Sequence, residues 1–127
     1  MSRNFKPILY LKFGCPHCFK LRLYLLEAGR LGEFEVREFT PGDGFEAAIK
    51  AELEPHFEKV TFPTVQMEPG RYRNESDALV AHYAAIYAVE PAELPLFQAY
   101  AGRLQPRLRA LAQENKALKA SLAEAKG

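Results

Sequence analysis

Ile8-Leu9-Tyr10-Leu11-Lys12-Phe13-Gly14-Cys15-Pro16-His17-Cys18 contains the change of pattern on which the fold turns. The run from Ile8 to Phe13 is nearly continuous in apolar residues and is bounded by Pro7 and Gly14, which is how a strand covered on both faces reads. Pro16 suits a first helical position, because its missing N–H would have no intrahelical partner there. Cys18, Leu21 and Leu25 then recur at helical spacing, as do Phe19, Leu23 and Leu26, and Gly29 offers a stop. A helix is predicted over about Pro16–Ala28, with the cysteine pair where strand gives way to helix.

That junction is where the chemistry concentrates. Unpaired N–H groups and the macrodipole at a helix N-terminus favour negative charge, so they stabilise a thiolate at Cys15, and the thiolate is the nucleophile. Cys18, three residues on, lies one helical turn away and nearer the buried face, placed to resolve a mixed disulfide formed at Cys15. His17 offers partial positive charge and a donor. Half of a zinc site is the competing reading, but structural zinc wants about four ligands. The chain has no other cysteines, and His17, His56 and His82 complete no familiar spacing. No metal is expected, and His56 and His82 read as surface or helix-packing residues.

Outward from the pair, Phe34–Phe39 alternates as a strand. Pro41-Gly42-Asp43-Gly44 is loop chemistry, and Asp43 with Glu46 has capping-box spacing. Phe45, Ala48, Ile49, Leu53 and Phe57 then share a helical face that Pro55 should end or kink. Thr64–Met67 and Arg71–Arg73 form a hairpin across Glu68-Pro69-Gly70. Asn74 and Asp77 cap a third helix with an apolar face of Leu79, Tyr83, Ile86 and Tyr87. The order is a right-handed βαβ unit, then a helix, a hairpin and a helix.

From Glu90 on no strand signal remains, and Pro91, Pro95 and Pro106 each mark a possible helix start. Leu104, Leu108, Leu111, Leu118 and Leu122, with Asn115 at the one gap, step by 4, 3, 4, 3, 4, a heptad seam with Leu108, Asn115 and Leu122 at a. Packing on the same chain and pairing with a second copy through residues 103–127 both satisfy such a seam. Residues 103–127 hold six basic and two acidic residues, or +4, leaving −3 on residues 1–102.

The whole chain is compositionally ordinary: 127 residues, 48% hydrophobic, 26% charged, net +1. That excludes a disordered chain or a disulfide-dense scaffold, and no strong field draws it to nucleic acid or membrane. No stretch reaches the roughly 20 apolar residues of a membrane span, and the first residues lack the pattern of a secretory leader. The expected location is cytoplasmic.

At these residues the sequence resembles the glutaredoxins and, more broadly, the thioredoxin fold shared with the N-terminal domain of glutathione transferases. Lys12, three residues before Cys15, matches the lysine of the glutaredoxin site, while His17 replaces its usual tyrosine. Cys-Pro-His-Cys is similar instead to the site of periplasmic disulfide-forming oxidants. Thr61-Phe62-Pro63-Thr64 resembles the segment in which a cis-proline lies against the cysteines. The resemblance implies that Pro63 is that residue and that Phe62 presents its backbone to glutathione, its side chain being bulkier than the usual valine and expected to crowd the groove. Asn74-Glu75-Ser76-Asp77-Ala78-Leu79 is similar to the Glu-Ser segment that holds the γ-glutamyl end of glutathione. N–H groups at Ser76 would take the carboxylate, and Glu75 or Asp77 the ammonium.

The resemblance covers residues 8–90. It implies an α/β, thioredoxin-like βαβ–αββα fold, a four-stranded mixed sheet with flanking helices over residues 1–90, plus a helical extension over 91–127. It implies a glutathione-linked thiol–disulfide oxidoreductase with Cys15, Cys18, His17 and Lys12 as its catalytic set. Phe62, Pro63, Glu75, Ser76 and Asp77 would bind glutathione, and disulfide or glutathionylated molecules would be its substrates. A non-catalytic module that dimerises through its last helix is the alternative. A minimal transferase is disfavoured, because about 37 residues cannot build the helical second domain of that family.

Overall fold

The computed structural model describes residues 5–126. Strand β1 (Ile8–Lys12) leads through a turn into helix α1 (Pro16–Glu27) and back to β2 (Glu35–Phe39). Helix α2 (Gly44–Leu53), the hairpin β3 (Thr64–Glu68) and β4 (Arg71–Asn74), and helix α3 (Ser76–Tyr87) complete the layer structure. The sheet order is β2-β1-β3-β4; β1 runs parallel to β2 and antiparallel to β3, and β3 antiparallel to β4. This is the thioredoxin-like four-stranded mixed sheet, followed by a long C-terminal helix.

The apolar run in β1 has a simple cause. Leu9 and Leu11 point into a core shared with α1 and α3, built on Leu21, Tyr24, Leu25 and Leu79. Ile8 and Tyr10 point the other way, into a second core with Phe39, Ile49 and Leu53. A strand with both faces covered must be apolar at successive positions, not alternating ones. On the α2 face Tyr10, fully buried, donates to Glu52, which also accepts from Tyr72 at 3.3 Å, while Gln66 donates to Tyr10 at 3.1 Å.

The turn between β1 and α1 passes through Gly14 at φ +81°, which a side chain would oppose, and α1 is followed by Gly29 at φ +77°. Asp43 caps α2, accepting from the N–H groups of Phe45 (2.9 Å) and Glu46 (3.1 Å). Glu46 reaches back one residue further than a capping box, to the Gly42 N–H.

Several expected faces are corrected. Phe45 and Ile86, predicted inward, are exposed, and Val80 and Ala84 take the inward places on α3. On α1, Phe19 and Leu26 are exposed, so the apolar stripe there is wider than the surface that covers it. Asn74 and Asp77 do not cap α3. Asn74 ends β4 and donates to Thr61 Oγ1 at 3.1 Å, Asp77 faces Lys20, and the cap position falls to Glu75 with no side-chain bond.

The C-terminal segment begins with a 3₁₀ turn at Pro91–Glu93. It continues as one helical run: α4 (Pro95–Ala99), a π-helical segment (Tyr100–Leu104) and α5 (Gln105–Lys126). Pro106, expected as a possible start, lies inside that run. A proline ring clashes with the carbonyl four residues back, and the wider π turn just before it relieves that conflict. The carboxylate of Glu27 accepts from the N–H groups of Leu96 (2.9 Å) and Phe97 (2.7 Å), pinning the start of α4 to the end of α1. Phe97 meets Tyr24 edge-on at 5.8 Å. Beyond Gln105, every side chain from Pro106 to Ala125 is exposed, so most of α5 leaves the domain surface.

Candidate functional site

Cys15 is the N-cap of α1, and its sulfur accepts the Cys18 backbone N–H at 3.4 Å. The local sequence explains the geometry: Gly14 allows the turn, Pro16 fixes the first helical residue and carries no competing N–H, and the helix amides converge on position 15. Both cysteines are free thiols, Cys15 half-buried and Cys18 buried. The Cys15 thiol is lowered from 9.0 to about 5, chiefly by a hydrogen bond from the Cys18 side chain, against the opposing effect of burial and with lesser help from the backbone N–H groups of Cys18 and His17 and from the His17 charge. The same bond and its own burial push Cys18 strongly upward. One sulfur is therefore poised as an anion and its neighbour as a proton donor.

Lys12 and His17 enter differently from the expectation. Lys12 contributes backbone: its N–H donates to Cys18 Sγ at 3.4 Å, and its carbonyl accepts the Cys15 N–H at 3.2 Å. The His17 ring lies with Nδ1 3.3 Å from Gln105 Nε2 on the C-terminal helix, so its backbone N–H rather than its ring nitrogen reaches the thiolate.

The Phe62–Pro63 bond is cis, and the Phe62 carbonyl oxygen lies 3.9 Å from Cys15 Sγ. Thr64 Oγ1 donates to the Thr61 carbonyl at 2.7 Å, tying the segment into β3. The Phe62 ring does not crowd the groove as expected. It turns inward and meets Phe39 edge-on at 4.9 Å, leaving the backbone on the sulfur side.

At the start of α3, Glu75 holds φ +75°, Ser76 is buried, and among the described residues no side chain caps the first amides. Asp77 bonds Lys20 at 2.5 Å, a lysine buried in α1 one turn beyond His17. That bond, against some burial, lowers the Asp77 carboxyl, with smaller help from the charges of His17 and Arg109. Thus α1 supplies a thiolate and a buried ammonium, and α3 supplies free amides and a carboxylate.

Sequence reasoning missed Lys20, Tyr100 and Gln105. Tyr100 is buried, donates to the Pro16 carbonyl at 2.9 Å and meets the Phe19 ring at a tilt, centroids 4.7 Å apart. Its signal was present: Leu94, Phe97, Tyr100 and Leu104 recur at helical spacing. Tyr100, Leu104 and Leu108 face Cys15, Phe13 and Phe19 across a cavity of about 530 Å³. Among the described residues, no group of His, Cys, Asp and Glu is placed to hold a metal ion, and no helix is long and apolar enough to cross a membrane.

The geometry is that of a thioredoxin-fold protein with a cysteine at a helix N-terminus beside a cis-proline. A family model for the glutathione S-transferase N-terminal domain matches residues 9–92, and the chain belongs to that family. Glutathione is the substrate associated with it. No curated protein matches the chain. Among solved structures, glutathione transferase Omega 3C from Trametes versicolor is similar over 76% of this chain and 42% of its own, at 19% identity and a TM-score of 0.53. A glutathione S-transferase from the Antarctic clam Laternula elliptica is similar over 67% of this chain and 36% of its own, at 24% identity and a TM-score of 0.50. The chain therefore spans less than half the length of either.

Proposed function

We propose that the protein is a glutathione-linked thiol–disulfide oxidoreductase of the glutaredoxin type. The observation that carries the reading is the Cys15 sulfur, held as a low-pKa N-cap of α1 within 3.9 Å of the Phe62 carbonyl. In the proposed sequence, glutathione lies along Phe62 and Pro63 with its γ-glutamyl carboxylate on the amides at Ser76 and its ammonium toward Asp77 or Glu75. The Cys15 thiolate attacks the glutathione sulfur of a mixed disulfide. A Cys15–glutathione bond forms, the old S–S bond breaks, and the substrate leaves as a thiolate that takes a proton. A second glutathione thiolate then attacks the glutathione sulfur and releases the Cys15 thiolate, or Cys18, once deprotonated, attacks the Cys15 sulfur and releases glutathione. The product is either oxidised glutathione or a Cys15–Cys18 disulfide with free glutathione. The substrate gains two electrons and the attacking thiols lose them.

Residues 1–90 form the glutathione-binding unit in this reading and 91–127 a helical extension. A free dithiol with these roles suits the reducing cytoplasm. The test is glutathione-dependent reduction of a glutathione mixed disulfide. Cys15→Ser should lose turnover, and Cys18→Ser should keep the route that uses a second glutathione. Full turnover by Cys15→Ser overturns the proposal.

The cavity favours a second reading. Its wall of Phe13, Phe19, Tyr100 and Leu104 suits an apolar electrophile to which glutathione would be conjugated. Conjugation of a generic aryl halide supports that reading, and its absence disposes of it.

A further inference from the structure

Helix α5 carries an apolar stripe with no cover among the described residues. Its 22 residues span about 33 Å, and Leu108, Leu111, Leu118 and Leu122 are 43–62% exposed along it. Leu104, just ahead in the π segment, is 57% exposed and begins the same seam. The alternative of packing on its own domain is thus met only at the near end, where Leu104 and Leu108 wall the cavity beside Cys15.

From this stripe we infer that the seam is the interface for a second copy of this chain, in a parallel two-stranded coiled coil over residues 104–122. Three features select that occupant. The steps of 4 and 3 along Leu104, Leu108, Leu111, Asn115, Leu118 and Leu122 form a heptad, not merely an amphipathic face. Asn115 sits at the centre of the stripe at an a position. In a parallel pair it faces its own twin and the two amides bond, whereas against lipid or an apolar groove it is buried without a partner. Glu114 at g and Lys119 at the following e pair in both directions across such a dimer, and Pro106 falls at f, away from the seam.

A helix draws most of its stability from packing rather than propensity, and α5 does not start alone. Tyr100 and Gln105 fix its root to the first turn of α1. Because the first two seam leucines also wall the cavity, the partner helix begins at the cavity rim, and both Cys15 sites lie at the same end of the dimer.

Sedimentation of the full chain at tens of micromolar should give a dimer. Leu111→Lys with Leu118→Lys should give a monomer whose Cys15 titration is unchanged, which shows that the domain is still folded. Glu114→Lys should weaken association several-fold, and adding Lys119→Glu should restore it. In a Cys15→Ser, Cys18→Ser background, Leu122→Cys should cross-link two chains on oxidation, as only a parallel pair brings that position to its twin. A monomeric full chain, a dimer indifferent to the paired lysines, failure of the charge swap to restore, or no cross-link at 122 each overturns the inference. So does a monomer that floats with phosphatidylserine vesicles and is released by the lysine pair, which would assign the leucines to a lipid surface.

Discussion

Two helix N-termini face the candidate site, and they are finished in opposite ways. That of α1 is closed by its own cap: the Cys15 sulfur accepts the Cys18 amide, and Pro16 has no N–H to offer. That of α3 is left open, for Asn74 turns to Thr61, Asp77 to Lys20, and Glu75 holds φ +75° with no cap bond. The same amides and the same dipole are therefore put to different uses. In the proposed function, the positive end of α1 is occupied by an anion that reacts, and that of α3 is available to an anion that arrives.

The largest effect should come from separating capping from reactivity at α1. Asp is a strong N-cap with no sulfur, so Cys15→Asp should reduce turnover to the uncatalysed background while keeping stability within about 1 kcal/mol of the parent. Cys15→Ala should lose turnover and also about 1 kcal/mol of stability. Turnover assays and thermal melts of the two variants check this, and equal melts would show that the sulfur does not cap.

The second test is pH. Cys15 titrates at about 5 in the folded protein against an ordinary 9.0. Between those values the folded state binds fewer protons than the unfolded one, so stability rises with pH. The gain is fully present above 9 and is lost as pH falls through 5. The reduced protein should therefore melt progressively higher from pH 5 to pH 9, relative to Cys15→Ala. A Cys15–Cys18 disulfide, having no thiol to titrate, should abolish the difference.

How much of this contrast was legible in the sequence differs between the two ends. At α1 everything is local: Gly14, Pro16 and two cysteines one turn apart dictate turn, first helical residue and cap within five positions. At α3 the expected caps were wrong because the partners are remote. Lys20 lies 57 positions before Asp77, and its burial depends on how α1 lies against α3, which periodicity does not encode. Phe19 shows the same limit. It shares the apolar stripe of α1, yet its aromatic partner is Tyr100, 81 positions away by number, on a helix whose phase is shifted by a π segment. The heptad on α5 was legible because a seam is a property of one helix; what covers it is not.

The open end of α3 is probed by Asp77→Asn, which keeps shape and removes charge. A hydrogen bond to a charged group contributes about 1.5–3 kcal/mol, so the KM for glutathione should rise roughly tenfold or more. The Cys15 titration, set by α1, should stay in place. A shifted Cys15 titration with an unchanged KM would reverse the roles assigned to the two ends.

The smallest expected effect lies at the backbone that keeps α3 open. Glu75 at φ +75° places a side chain in the left-handed region, which costs a non-glycine residue roughly 1–2 kcal/mol. Glu75→Gly removes that cost but adds back roughly 0.5–1 kcal/mol of chain entropy in the unfolded state. The net is a protein of equal or greater stability, by up to about 1.5 kcal/mol. Glu75→Ala loses the carboxylate and keeps the strain, so it should show no such gain. If glutathione affinity survives in Glu75→Ala and weakens in Glu75→Gly, the value of the strained residue lies in holding the amides of Ser76 and Asp77 in place rather than in its carboxylate. If both weaken alike, the carboxylate itself meets the ammonium, and Asp77 is left chiefly to Lys20.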